Sequence, residues 1–499
     1  MKEMEQEREN GRAVESRRMR ERGQAVETGQ MGETGQAEPG RPAGNPARGS
    51  RVRSMTEGSP LRHILLFMLP VLLGQVVQQT YNMMDSIIVG RLLGADALAA
   101  VGASSSVQFM VLGFCSGMCD GFAIHAAQSF GAGDMRTMRR YVYHMAVLAA
   151  AIAVLLTAVT CFLCPGIIRV LRTPDNICDD AVRYLMILFL GIPFTIFYNL
   201  QASILRAVGN SREPFVFLLI SSVLNIFLDL FAVAILHLGV AGAALATITS
   251  QALSGLLCLL FIRRRMALLH VERREREWSG HLALNLLLMG VPMGLQFSIT
   301  AIGSMVMQAC NNSLGSVYVS GFTTGERVDQ LVMCPQVALS SSMATYVGQN
   351  YGALRFDRIR KGVFQAFLLA NAYALVFGSL MALTGRWTAS LFLSPGLGTD
   401  AILDAAGQFL RTVGFTFFLV SAVNVYRPSI QAMDCPGRAI FSGVIEMAAR
   451  CIFSLVMLEK LGFTAICWTH QAAWISAGIY VIFMYYHVIA MRERQFGRR

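Results

Sequence analysis

The segment 128-QSFGAGDMRTMRR-140 returns further along the chain as 349-QNYGALRFDRIRK-361. Without gaps Gln128 aligns with Gln349, Gly131 with Gly352, Ala132 with Ala353, Arg139 with Arg360 and Arg140 with Lys361, an offset of 221. At an offset of 226, Ser203 aligns with Ser429, Ile204 with Ile430, Arg212 with Arg438, Phe215 with Phe441, Ile226 with Ile452 and Phe227 with Phe453. The chain therefore reads as two copies of one unit, and what lies around the repeated motif says what that unit is.

Around it lie long apolar runs. The 499 residues are 54% hydrophobic and only 15% charged, which argues against an ordinary soluble enzyme. A helix needs about 20 apolar residues to cross a bilayer. Twelve spans satisfy this, at 61–90, 96–127, 141–163, 182–205, 215–236, 240–262, 284–310, 318–348, 362–385, 403–426, 440–458 and 463–490. The first two and the eighth are longer than the bilayer requires. Six spans fall in each copy, and an even number makes both copies enter the membrane in the same sense. This is the parallel-repeat plan of a transporter with a cavity between its halves. The predicted fold is an all-α integral membrane bundle of twelve transmembrane helices in two six-helix lobes. Residues 59–262 form the N-lobe, 263–283 a solvated cytoplasmic linker anchored at lipid headgroups, 284–490 the C-lobe and 491–499 a basic cytoplasmic tail.

Residues 1–58 are rich in Glu, Arg, Gly and Gln and cannot bury enough apolar surface to fold, so they read as disordered. They contain no apolar h-region of a signal peptide, and Met55 is a candidate translation start. The net charge of +11 does not point to nucleic acid, because its basic residues sit between hydrophobic spans. With the N-terminus cytoplasmic, 22 basic residues fall at inner loops and ends, among them Arg136, Arg139, Arg140, Arg263–Arg265, Arg355, Arg358, Arg360 and Lys361. Six fall outside: Arg91, Arg169, Arg172, Arg183, Arg386 and Lys460. That imbalance predicts a multi-pass protein of the cell (inner or plasma) membrane with both termini cytoplasmic. Most of the eleven cysteines lie in apolar runs and read as small hydrophobes. Cys161-x-x-Cys164 lacks further ligands for zinc, and a disulfide to Cys178 requires an oxidising compartment on that side.

Six carboxylates interrupt the spans: Asp85, Asp120, Asp229, Glu326, Asp329 and Glu446. An unpaired carboxylate at mid-membrane costs roughly 2.5–3.5 kcal/mol or more, so each needs a partner, a proton, an ion or water. Asp229 lies about 22 Å from the inner end of its span, counted from Pro214 at 1.5 Å per residue. Asp85 is near the outer end of the first span and Thr247 near that of the sixth. Asn225 precedes Asp229 by four residues and shares its helix face. Asp85, Asn225, Asp229 and Thr247 thus converge in the outer half of the N-lobe. Two carboxylates and two neutral oxygens suit sodium as a metal ligand set, and acids in a dry site suit protons. As a structural alternative, such a set is a hydrogen-bonded cluster that only ties helices together. Glu446 and Arg450, spaced i, i+4 with the acid first, read as a self-neutralising structural pair. Glu326 needs a partner, for which Arg427 is a candidate; these two and Asp120 are candidate cavity or substrate residues, Asp120 either binding a cationic substrate or sitting in an inner water pocket. Pro70 permits a kink in the first helix.

The stretches 81-YNMMDSIIVGRLLGADALAAVG-102, 128-QSFGAGD-134, 203-SILRAVGNSREP-214, 224-LNIFLD-229 and 241-AGAALATITSQ-251, in this order over twelve spans, resemble the multidrug and toxic compound extrusion (MATE) transporters from about residue 60 to 490. The resemblance implies a V-shaped bundle and proton- or sodium-driven export of amphipathic, often cationic compounds by alternating access. It further implies that Asp85, Asn225, Asp229 and Thr247, with Tyr81, hold the coupling cation, and that bending at Pro70 answers to occupancy. One branch of the family carries an acid in the seventh span, where 290-GVP-292 here leads to Thr300, and the tenth span has no acid between Leu410 and Tyr426. Coupling is therefore expected in the N-lobe. No cofactor beyond the coupling ion is expected, and the chain should act as a monomer on small amphipathic molecules amid membrane lipid. No Walker loop, Gly-x-Ser-x-Gly or His-Glu-x-x-His motif is present, which disfavours an ATP-driven pump or a membrane hydrolase. The competing reading is a two-lobed flippase for lipid-linked precursors, which the paired acids of the first lobe disfavour.

Overall fold

The computed structural model describes residues 53–170, 174–393 and 399–497. The expected tail over residues 1–52, and Arg172, Arg498 and Arg499, lie outside the described residues. The rest is helical. The N-lobe comprises α1 (Pro60–Leu93), α2 (Ala95–Gly131), α3 (Met135–Val170), α4 (Asp175–Leu190), α5 (Ile192–Ala207), α6 (Arg212–Leu230) and α7 (Val240–Arg265). The C-lobe comprises α8 (Gly280–Asn312), α9 (Ser316–Gly352), α10 (Phe356–Ser390), α11 (Thr399–Thr416), α12 (Leu419–Ala432), α13 (Pro436–Leu461) and α14 (Phe463–Gly497).

The fourth and tenth spans are bent helix pairs: α4 and α5 meet at 47°, α11 and α12 at 57°. Among the described residues nine other helices are long and apolar enough to cross a bilayer. The twelfth span is α9, 37 residues long, whose apolarity is diluted by Glu326, Arg327 and Asp329. The first bend follows from Gly191 and the proline after it. A Cβ at Gly191 would collide with Ile248 of α7, and Pro193 starts α5 without an N–H to donate. At the second bend Thr416 turns its hydroxyl back onto the Thr412 and Val413 carbonyls, a competition that bends helices. Pro70, by contrast, sits inside a continuous α1.

The lobes are joined by a swap that follows from the repeat. The second helix of each copy packs along the first of the other, α2 on α8 and α9 on α1. At the end of the bundle where the described residues begin and finish, the termini end, the repeated motif meets itself. The Gln128 side-chain amide donates to the Ala432 carbonyl at 3.0 Å, and Gln349 donates to the Ala207 carbonyl at 2.9 Å. A Cβ on Gly131 would strike the backbone of Gln349, and one on Gly352 the backbone of Gln128. Only glycine lets the two chains approach this closely. Among the described residues, hydrogen bonds between the lobes reach no further from this end than Ser298–Met110 and Gln79–Gln330.

Three expectations are corrected. The polar segment before α1 is docked, not free, from Arg53 onward. Met55 is 2% exposed, donates its N–H to Gln349 and accepts from Asn350, while Arg358 donates to the carbonyls of Met55, Glu57 and Gly58. The linker is not simply solvated. Glu275 is buried and takes a bidentate pair from Arg139 of α3, with Nη2 at 2.6 Å, and Trp278 stacks on His144. Residues 491–497 continue α14 rather than forming a tail. Cys161, Cys164 and Cys178 are free thiols.

Candidate functional site

The N-lobe gathers the predicted set. α1 supplies Tyr81 and Asp85, α6 supplies Asn225 and Asp229 from one face, and α7 supplies Thr247. Tyr81, Asn225 and Thr247 line a single small pocket with Ser222, Ser250 and Gln251. Asp229 is fully buried and Asn225 is 1% exposed, while Asp85 is half-buried. The side chains of Asp85 and Asp229 stand within hydrogen-bond reach of each other. Two carboxylates cannot donate to one another, so this proximity satisfies neither without a proton or a cation between them.

The remaining oxygens tell the same story. Asp85 Oδ1, both oxygens of Asp229, both amide atoms of Asn225, and the side-chain oxygens of Ser222, Ser250 and Gln251 are buried without a protein partner. Buried polar groups are normally hydrogen-bonded, and a set left together, four of its residues lining the small pocket, marks a place built to hold something polar. All these donors are oxygens except one amide nitrogen, which suits a hard monovalent cation or a proton. Asp229 is followed at once by a π-helical turn, Phe231–Ile235, that interrupts regular packing beside the acid.

Sequence reasoning did not single out Tyr184. It is 3% exposed, packs with Val89, Ala243 and Ala244, and lies within electrostatic reach of both acids. A lone tyrosine in a helix carries no signal until the fold turns its ring inward. Ser222, Ser250 and Gln251 were legible in principle: Ser222 lies three residues before Asn225 and Ser250 three after Thr247, so each extends a named face by one turn.

The other predicted residues behave differently. Asp120 has a basic partner, and its side chain is 41% exposed. Arg206 pairs with it at 2.8 Å and Ser203 donates to the same oxygen at 2.6 Å. Arg427 does not serve Glu326. It donates to Glu446 at 3.2 Å and lies against the Gln296 amide. Glu446 also receives Arg450 at 2.8 Å, so the expected pair is a triad of one acid between two arginines. Arg450 further bonds Ser304 on α8 at 2.9 Å. Glu326 and Asp329 share a face of α9, with Arg450 as their nearest opposite charge, and Asp329 Oδ1 is buried without a partner. Among the described residues no group of three or more His, Cys, Asp or Glu forms a metal cluster.

The MatE family model matches residues 70–231 and 292–456, one stretch in each lobe. The "Probable multidrug resistance protein YpnP" of Bacillus subtilis is 28% identical over 452 residues, covering 89% of this chain and 96% of that protein. The "Probable multidrug resistance protein YoeA" of the same organism is 26% identical, covering 87% and 95%. Among solved structures, an outward-facing multidrug resistance MATE transporter of the MOP superfamily superposes with a TM-score of 0.83 at 21% identity, covering 88% of this chain and 98% of that one.

Proposed function

The chain belongs to the MatE family, and from that premise we propose that it is a cation-coupled antiporter exporting amphipathic, cationic organic compounds from the cell by alternating access. The observation that carries the coupling is the Asp85–Asp229 pair, two adjacent acids with no basic partner among the described residues. Efflux itself is supported by the relatives, whose names are those of multidrug resistance proteins. The excess of basic residues at the termini end supports a cytoplasmic position for that end.

The coupling ion is cargo. A proton shared between Asp85 and Asp229, or sodium held by their oxygens with Asn225 and Thr247, removes the repulsion between two anions and satisfies the pocket. The occupied pocket draws α1 toward α6, because Asp85 and Tyr81 ride on one and Asn225 and Asp229 on the other. α1 also packs along α9 of the other lobe. Movement of α1, with Pro70 as its flexible point, therefore reaches the inter-lobe cavity. An organic cation in that cavity favours the arrangement in which the pocket has released its ion. Each ligand shifts the equilibrium by its differential affinity for the two states, and the linkage is reciprocal.

The test is ethidium efflux from proteoliposomes with a proton gradient or a sodium gradient imposed separately. One of the two should drive efflux in the wild-type protein. Efflux that ignores both gradients would refute the proposal.

A further inference from the structure

The cleft between α10, α12 and α14 at the termini end lies apart from both charged clusters. We infer that it is a phospholipid site, taking the phosphodiester head group of a lipid from the adjacent leaflet. It offers about 180 Å³ between Arg360, Val363 and Phe364 of α10, Tyr426 of α12, and Tyr485 and Tyr486 of α14. Arg360 is about 6 Å along α10 from Phe356, and Tyr426 about 9 Å before the end of α12 at Ala432, at 1.5 Å per residue. That depth is the boundary between head groups and hydrocarbon, where tyrosines concentrate.

The polar chemistry fits a phosphate. Glu493 grips one edge of the Arg360 guanidinium, accepting from Nε at 2.8 Å and Nη2 at 2.6 Å. This fixes the group in place and leaves its remaining N–H donors, on a side chain that is 48% exposed. Tyr485 lines the cleft, is 2% exposed and has a buried hydroxyl with no partner, within electrostatic reach of Arg360. A buried hydroxyl without a partner is destabilising unless a ligand atom supplies one. A phosphodiester oxygen between Tyr485 and Arg360 does so.

The apolar chemistry fits an acyl chain. Phe364 is 57% exposed and Tyr486 53% exposed, both at the mouth of the cleft, with buried Val363 between them and the interior. An organic cation caged by the tyrosines is the weaker occupant, because the free Arg360 N–H groups are donors and a cation offers them nothing that accepts.

The test uses the full chain, delipidated in detergent and titrated with dioleoyl phosphatidylglycerol, bound lipid being read by native mass spectrometry and stability by thermal shift. Tyr485→Phe removes only a hydroxyl that bonds nothing, so the variant folds as the wild type does, and it decides the question even where Arg360→Gln expresses poorly. The wild type should hold the lipid about tenfold more tightly than either variant, the worth of one good hydrogen bond to a charged group. Inorganic phosphate and glycerol 3-phosphate should leave its thermal stability unchanged. Equal lipid binding by wild type and Tyr485→Phe would overturn the site. A full stabilising effect from phosphate alone, or displacement of bound lipid by ethidium, would overturn the lipid assignment.

Discussion

The two lobes share a fold, and two of their charge clusters, one in each lobe, treat an acid in opposite ways. In the N-lobe, Asp85 and Asp229 face each other among unpartnered side-chain oxygens. In the C-lobe, Glu446 is clamped between Arg427 and Arg450. The same six-helix unit thus holds a charge that is incomplete on one side and a charge that is closed on the other. The contrast separates function from structure. An acid with no base gains from a mobile cation, whereas an acid between two bases gains nothing from one and braces α12 against α13. Replacing the same residue type in the two lobes should therefore have opposite consequences.

The largest effect is expected on transport. Asp85→Asn and Asp229→Asn each remove an anion that no protein group balances, so both proteins should express and melt like the wild type or slightly better. Cation-driven ethidium efflux should fall to background in both. Drug resistance at wild-type level in cells carrying either variant would erase the difference between the lobes. On stability the order reverses. Glu446→Gln leaves two buried arginines facing each other and should cost about 3–5 kcal/mol, read as a lowered midpoint of thermal unfolding. A mild loss there, matching that of Asp229→Asn, would mean that the C-lobe triad braces nothing.

The contact between lobes gives a third, smaller contrast. Gly131→Ala and Gly352→Ala each force a methyl group into the other lobe's backbone. By the symmetry of the crossing the two should behave alike. Each should weaken closure at the termini end and raise labelling of cysteines introduced near Gln128 and Gln349. If one glycine tolerates alanine and the other does not, the crossing is symmetric in appearance only.

The smallest effect belongs to the linker. The Arg139 guanidinium holds the Glu275 carboxyl below its ordinary value. A depressed carboxyl stabilises the folded state at pH values above its unfolded pKa, about 4.3. That contribution declines as pH falls below this value and is gone once Glu275 is protonated in the folded state too. Arg139→Gln should lower stability by about 1.5–3 kcal/mol near neutral pH. The gap between variant and wild type should close as the medium is acidified below pH 4, in thermal unfolding followed across that range.

Much of this was readable from the residues. Apolar runs give the spans because the bilayer demands them, and the repeat gives the two lobes. Asp85, Asn225, Asp229 and Thr247 could be brought together because helical rise fixes their depth. What escaped were pairings decided by rotation and side-chain reach. Asp120 looked free because Arg206, 86 positions away, stood among the inner-end charges. Arg427 had two acids within plausible reach, and only the packing of α12 against α13 selects Glu446. The bend at Thr416 has no proline to announce it. Met55 lies in a polar stretch whose composition reads as disorder, yet its order comes from Gln349, Asn350 and Arg358 in the other lobe. Local sequence reports local physics, and each of these features is held by a distant partner.

The most direct measurement is ion release from the purified protein. Ethidium is added to wild type, Asp85→Asn and Asp229→Asn in weakly buffered detergent solution, while a pH electrode and a sodium electrode record. The wild type should discharge a proton or a sodium ion as the drug binds, and both variants should discharge none. Release from both variants equal to that of the wild type would show that the coupling ion resides somewhere other than between these two acids.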